Sequence, residues 1–180
     1  MATPADEVRL LAARDKDRAA ETLQRAFAAD PDYAYVFPDE EERRRSLWRL
    51  WRALLGHGLL FGRVYTTAAF AGVAIWMAPG HTQPSFWDML RSGFALPRAV
   101  LAMKPEGRRR LGDALNYTDA IHARLLPEPH WYLGALGVDP AHQRQGVGGR
   151  LLQPVLALAD AARLPCYLET QTADNVRFYE

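Results

Sequence analysis

The segment that most restricts what this chain can become runs from Leu133 to Leu152. An apolar stretch, Trp131–Val138, ends at Asp139-Pro140 and passes through a turn carrying Gly146, Gly148 and Gly149. An apolar pattern at helical spacing then continues to about Ala162. A strand that turns directly into a helix leaves the first helical N–H groups without acceptors, all pointing out of the helix end. The helix dipole adds partial positive charge there, and glycine keeps the backbone free of Cβ obstruction. This combination is suited to gripping a diphosphate, with Arg144 and Arg150 placed to add side-chain charge. Two better-known phosphate loops are excluded. Gly149 is followed by Arg150 and Leu151 rather than Lys and Ser or Thr. Leu151 also stands where a dinucleotide fingerprint needs its third glycine.

The rest of the chain reads as a frame for this unit. Residues 8–12 form a short opening strand. Asp15 is placed to cap a helix in which Ala19, Leu23, Ala26 and Phe27 recur at helical spacing, and Asp30-Pro31-Asp32 breaks it. A second helix covers residues 38–55, with an acidic first turn (Asp39 to Glu42) suited to the positive helix end. Its buried stripe is Leu47, Leu50, Trp51, Leu54 and Leu55, and Gly56 and Gly58 close it. Strands at 64–67 and 73–77 flank a turn near Ala71-Gly72. Residues 84–126 are helical in two pieces divided by Pro105 and Gly107. After the glycine turn come a helix at 146–162, a strand at 166–170 and a last helix from Asp174. The pattern predicts one mixed α/β domain over residues 1–180, with a parallel, right-handed strand–helix–strand unit at 131–170.

Composition removes several functional classes. A net charge of +1 gives no global field for nucleic acid or an anionic membrane. The charge runs at 40–45 and 108–110 read as solvated helix faces. Cys166 is the only cysteine, so a disulfide or a cysteine-based zinc site lacks partners, and it reads as a small buried residue of a core strand. The five histidines lack metal-motif spacing, so no metal is expected. The longest nearly apolar run, residues 68–79, falls short of the ~20 residues a membrane-crossing helix needs. Residues 1–7 lack a leader's basic start and apolar core, which together with the single cysteine favours a cytoplasmic protein.

Gln143-x-x-Gly146-x-Gly148 resembles the Q/R-x-x-G-x-G/A motif with which GNAT acetyltransferases bind acetyl-CoA. Leu136-Gly137-Val138-Asp139-Pro140 is similar to the strand and turn that lead into it. Asn175-Val176-Arg177-Phe178-Tyr179-Glu180 resembles that family's last core helix. The order of elements matches across nearly the whole chain, and the motif-level match is confined to residues 131–180. The resemblance implies the GNAT, or acyl-CoA N-acyltransferase, fold: a mixed central sheet flanked by helices. In that fold the Phe-Tyr-Glu block precedes two further strands. The sequence here ends at Glu180, so the strand at 166–170 is expected to show an uncovered edge. Trp131-Tyr132-Leu133, Leu168-Glu169-Thr170 and Phe178-Tyr179-Glu180 look most like puromycin N-acetyltransferase-like proteins.

The resemblance implies transfer of an acetyl group from acetyl-CoA to a primary amine, by direct attack on the thioester. It suggests a small-molecule acceptor, with a protein N-terminus or lysine, or a non-catalytic acyl-CoA-binding module, as alternatives. A homodimer is left open. The implied cofactor-binding residues are Leu136, Gly137, Val138, Gln143, Arg144, Gln145, Gly146, Val147, Gly148, Gly149, Arg150 and Asn175. One strand amide, that of Leu136 or Val138, would face the thioester oxygen, and Tyr179 would protonate the departing thiolate. Glu169 leads the candidates for taking the amine's proton, ahead of Glu128, His130 and His122. Phe86, Trp87 and Tyr117 are candidates for lining the acceptor pocket, and the other aromatic and Met residues of 84–126 read as core.

Overall fold

The computed structural model describes residues 7–170 and 172–180. Residues 1–6, read above as carrying no leader, lie outside the described residues. Five strands form one sheet in chain order: β1 (Val8–Leu10), β2 (Gly62–Thr67), β3 (Gly72–Met77), β4 (Trp131–Val138) and β5 (Cys166–Tyr167). The first four pair antiparallel, and β5 lies parallel to β4, as the strand–helix–strand reading requires.

Helices cover both faces. On one, α1 (Lys16–Ala26) and α3 (Glu40–Phe61) seal a core of Leu23, Leu47, Trp51 and Leu55 against Val73, Ile75 and Met77. On the other, α7 (Val147–Ala162) presses Val147, Leu151 and Val155 onto Ala74, Trp76 and Leu133. Every residue of β3 is therefore buried, which is why it reads as an unbroken apolar run and not as an alternation.

Glycine spacing misleads at α3. Gly56 and Gly58 do not close it; the helix continues six residues past Leu55, to Phe61. A Cβ at Gly58 would sit 2.8 Å from Ile75 Cγ2 and 3.0 Å from Val64 Cγ2. The residue is absent a side chain because the helix backbone touches the sheet there, a gain from packing that exceeds the roughly 1 kcal/mol glycine costs in a helix.

Asp30-Pro31-Asp32 ends one helix and starts another. The Asp30 carboxylate accepts the amides of Asp32 (3.0 Å) and Tyr33 (3.4 Å), with Pro31 at the first helical position of α2 (Pro31–Val36). Residues 84–126 fold into three helices rather than two: α4 (Phe86–Arg91), α5 (Ala95–Leu101) and α6 (Pro105–Leu125). Gly93 and Phe94, both at positive φ (65° and 55°), make the additional break. Gly107 lies inside α6, where the Phe37 ring occupies the space a side chain would take. Pro105 opens that helix.

β5 is shorter than the expected 166–170 strand, and Cys166 is exposed, not buried. The strand pairs with β4 over two residues and then leaves it. Among the described residues no strand lies on its other side. The last helix, α8 (Ala173–Tyr179), is capped by the Thr172 hydroxyl on the Asn175 amide at 3.2 Å. No helix among the described residues is long and apolar enough to cross a membrane.

Candidate active site

The site follows from two irregularities of β4. Ile75 pairs with Ala135 but Trp76 pairs with Leu133, leaving Gly134 without an opposite residue. The bulge lets Leu133 and Leu136 pack toward α7, although they are three positions apart, while Ala135 packs toward α1 and α3. The second irregularity is the brief pairing with β5, Trp131 with Cys166 and Tyr132 with Tyr167. Beyond Tyr132 the parallel strands part, and the outer edge of β4 meets no strand among the described residues.

That divergence opens a cleft. One wall is residues 133–136 of β4, and the other is Leu168, Glu169 and Thr170, with Asn175 and Tyr179 of α8 beside them. The far end belongs to α2 and α6, through Tyr33, Leu111, Leu115 and Thr118. The stripe 111, 115, 118, 122 on α6 has helical spacing, and it faces the cleft and the residues behind it. Phe86, Trp87 and Tyr117 do not line this cleft. They are 60%, 69% and 70% exposed, because α4 and the Tyr117 face of α6 point to solvent.

The turn before α7 is fixed from beneath. The Asp139 amide donates to the Ala71 carbonyl at 2.9 Å, and its carboxylate accepts from Arg25 Nε at 2.7 Å and from the Ala141 amide at 3.0 Å. Burial works to raise this carboxyl's pKa; the Arg25 and Ala141 hydrogen bonds outweigh it and leave the group below the ordinary carboxylate range. Three residues expected as ligands grip the turn's own carbonyls. Gln143 Nε2 donates to Val138 O (3.2 Å), Gln145 Nε2 to Ala141 O (3.3 Å), and Arg150 Nη1 to Gln145 O (3.0 Å).

With those carbonyls engaged, Arg144 (φ 60°) and Gly146 (φ 74°) take left-handed conformations, and residues 141–146 stand exposed. Helix geometry leaves the amides of Val147, Gly148 and Gly149 without intrahelical acceptors, and no side chain caps the helix at Gly146. A Cβ at Gly149 would meet nothing within 4 Å, so open space lies beside that residue. Gly137 and Gly148 also serve packing. Their absent side chains make room for Leu23 Cδ2 (2.7 Å) and the Phe178 ring (3.1 Å) respectively.

Two side chains with acid–base chemistry line the cleft, Tyr179 and Glu169. Burial raises the pKa of the Tyr179 phenol to about 12. Glu169 Oε2 accepts from the Tyr132 hydroxyl at 2.9 Å, and its other oxygen stands 4.0 Å from His122 Nδ1. Burial, then the Glu169 charge, pushes the Tyr132 phenol well above its usual pKa, so it stays a donor. His122 and His130 lie behind, 3% and 4% exposed, and Glu128 offers its backbone carbonyl to His130.

The sequence profile of the acetyltransferase (GNAT) family matches residues 21–180. The chain belongs to the GNAT acetyltransferase family. Similar proteins include an uncharacterised N-acetyltransferase of Schizosaccharomyces pombe, 30% identical over 93% of this chain and 70% of the relative. Among solved structures, one described as histone acetyltransferase HPA2 and related acetyltransferase, from Corynebacterium glutamicum, shares the fold at a TM-score of 0.66. It is 20% identical over 96% of this chain and 80% of its own.

This acetyltransferase thus uses acetyl-CoA as its cosubstrate. The open, uncapped start of α7 fits the diphosphate of such a molecule, and the free edge of β4 fits an extended amide-bearing arm. Sequence reasoning overlooked Tyr132, Tyr33 and Thr118. The capping signature Asp30-Pro31, read only as a helix breaker, was the available signal for α2, and the 111, 115, 118 spacing was the signal for the inner face of α6. Neither shows which cleft those helices close.

Proposed function

We propose that this acetyltransferase acetylates a primary amine of a small molecule, of aminonucleoside-like or metabolite size. The observation that carries the reading is that Glu169 and Tyr179 line one cleft, at the point where β4 and β5 separate. The cleft's far end supports a small acceptor. The Phe27, Tyr33 and Trp51 rings, with centroids 4.8 to 5.8 Å apart, form an aromatic floor there, and Leu111 and Leu115 close the α6 side. A flat, partly apolar amine fits such a floor through ring contacts.

Acetyl-CoA brings the acetyl thioester, and the chain supplies position and proton handling. The amides at residues 147–149, Arg144 and Arg150 hold the diphosphate, with Gln143 and Gln145 shaping the turn. Asn175 flanks the arm. The Leu136 or Val138 amide offers a hydrogen bond to the thioester oxygen as charge grows on it. Glu169, oriented by Tyr132, takes the proton that an ammonium must lose before it can attack. Tyr179 is fully protonated at neutral pH. A phenol near 12 beside a thiol near 8.5 stabilises the departing thiolate as a hydrogen-bond donor; complete proton transfer runs uphill.

A thiol-release assay with acetyl-CoA against aminonucleosides, arylalkylamines, diamines and peptides with free N-termini tests the reading. Turnover with small aromatic amines is expected. Turnover with peptides alone overturns the small-molecule assignment.

A further inference from the structure

We propose that His122 and His130 form a two-ring proton relay, carrying the proton abstracted from the acceptor amine out of the cleft to a second, solvent-facing cavity. The proposal rests on Glu169 as the primary base, and the geometry fixes the direction.

His130 Nδ1 lies 2.6 Å from the Glu128 carbonyl, which only accepts, so Nδ1 carries hydrogen. In a neutral ring, Nε2 of His130 is then the acceptor. It lies 2.7 Å from Nε2 of His122, which must therefore be the donor. His122 is left with a bare Nδ1, and this is the atom that faces Glu169 Oε1 at 4.0 Å. Both rings are almost wholly buried, yet on the side away from Glu169 they line a cavity with Gly80, Thr82, Leu126 and Pro129 that is separate from the acceptor cleft. The rings therefore stand between the two spaces.

The steps balance. The ammonium gives a proton to Glu169, which becomes a carboxylic acid. The acid closes the 4.0 Å gap, which exceeds hydrogen-bond length, and protonates His122 Nδ1. Nε2–H of His122 passes to Nε2 of His130, and Nδ1–H of His130 leaves to water or a buffer base in the second cavity. Both rings, which line that cavity, regain their starting tautomers by exchanging protons with its water before the next turnover. Nothing is oxidised or reduced, and Glu169 returns to its ionised form.

The surroundings of His122 favour its neutral ring. Groups facing His122 are Glu169, His130, Tyr132 and Tyr167, with Asp119 on its own helix. Tyr167 stacks on it at 4.3 Å and 14°, and the Tyr132 ring lies at 4.9 Å. Burial lowers the His122 pKa below the ordinary histidine value, more than Glu169 raises it. A relay loaded beforehand by solvent protons cannot accept one from Glu169. Activity should therefore fall as pH drops through a value under about 6.5, and this acidic limb should belong to His122.

The tests separate this proposal from the reading beneath it. In wild-type protein labelled with ¹⁵N-histidine, without any acceptor, NMR titration should show the two rings coupled. Uptake of one proton by the pair should broaden both and oppose a second. Independent titration of the two rings overturns the relay, whatever the acceptor proves to be. For kinetics, His130→Gln and His122→Gln are compared with wild type, using acetyl-CoA and puromycin in weakly buffered solution. Each should lower kcat by roughly tenfold with the acetyl-CoA KM unchanged. Added imidazole should restore turnover in His130→Ala, whose missing ring opens the path. Wild-type kcat in either folded glutamine variant, or no imidazole response in the alanine variant, overturns the relay. If only Glu169→Gln abolishes turnover while the histidine variants match wild type, the base assignment stands and the relay falls.

Discussion

The glycine turn before α7 and the cleft between β4 and β5 share β4 but are built from different materials. The turn uses main-chain amides from one continuous stretch, residues 143–149, and its polar side chains mostly hold its own carbonyls. The cleft uses side chains drawn from α2, α6, β4, the segment after β5, and α8. A backbone site is set by φ and ψ and tolerates side-chain change except where it demands a left-handed residue. A site assembled from side chains depends on each one, and substitutions on its α6 wall can alter selectivity for the acceptor.

Substitutions should separate these two behaviours. The largest effect is expected from Glu169→Gln, which keeps the Tyr132 hydrogen bond but cannot accept a proton. Turnover should drop by about a hundredfold or more, while calorimetry shows unchanged acetyl-CoA affinity. Near-normal turnover would remove Glu169 from the chemistry. Tyr179→Phe should lower kcat by at least about tenfold, again with acetyl-CoA binding intact.

On the other side of the comparison, Gly146→Val places a branched residue at φ 74°. A left-handed conformation costs an ordinary residue about 1–2 kcal/mol. Coenzyme A affinity should weaken by roughly tenfold, with little change in acceptor KM; equal weakening for both would mean that the two regions are not separable. The smallest effect is expected from Leu115→Trp, which crowds the α6 wall of the cleft. It should raise the acceptor KM by about fivefold and leave the acetyl-CoA KM alone.

The asymmetry between the regions also explains how much of each could be read from the chain. The β4–turn–α7 unit was legible because its determinants are local: Asp139 and Pro140 end the strand, Gly146 permits the turn, and Val147, Leu151 and Val155 give α7 its buried stripe. The boundaries of β4 came out as expected for the same reason. Gly58 misled because glycine spacing does not distinguish a helix end from a helix pressed against a sheet. Phe86, Trp87 and Tyr117 misled because aromatic character does not reveal which face of a helix finds a neighbour. Cys166 misled because its burial depended on whether both sides of β5 were covered.

Alone, the sequence determined the glycine turn between β4 and α7, the order of the strands and of the long helices, and the family to which they belong. Each of these follows from neighbours within a few residues, where backbone sterics and helix-end chemistry act. Tertiary structure decided that β4 bulges at Gly134 and parts from β5, that Glu169 faces the opening, and that His122 meets His130. Those contacts depend on the register and divergence of strands distant in the chain, and long-range packing, not local preference, sets them.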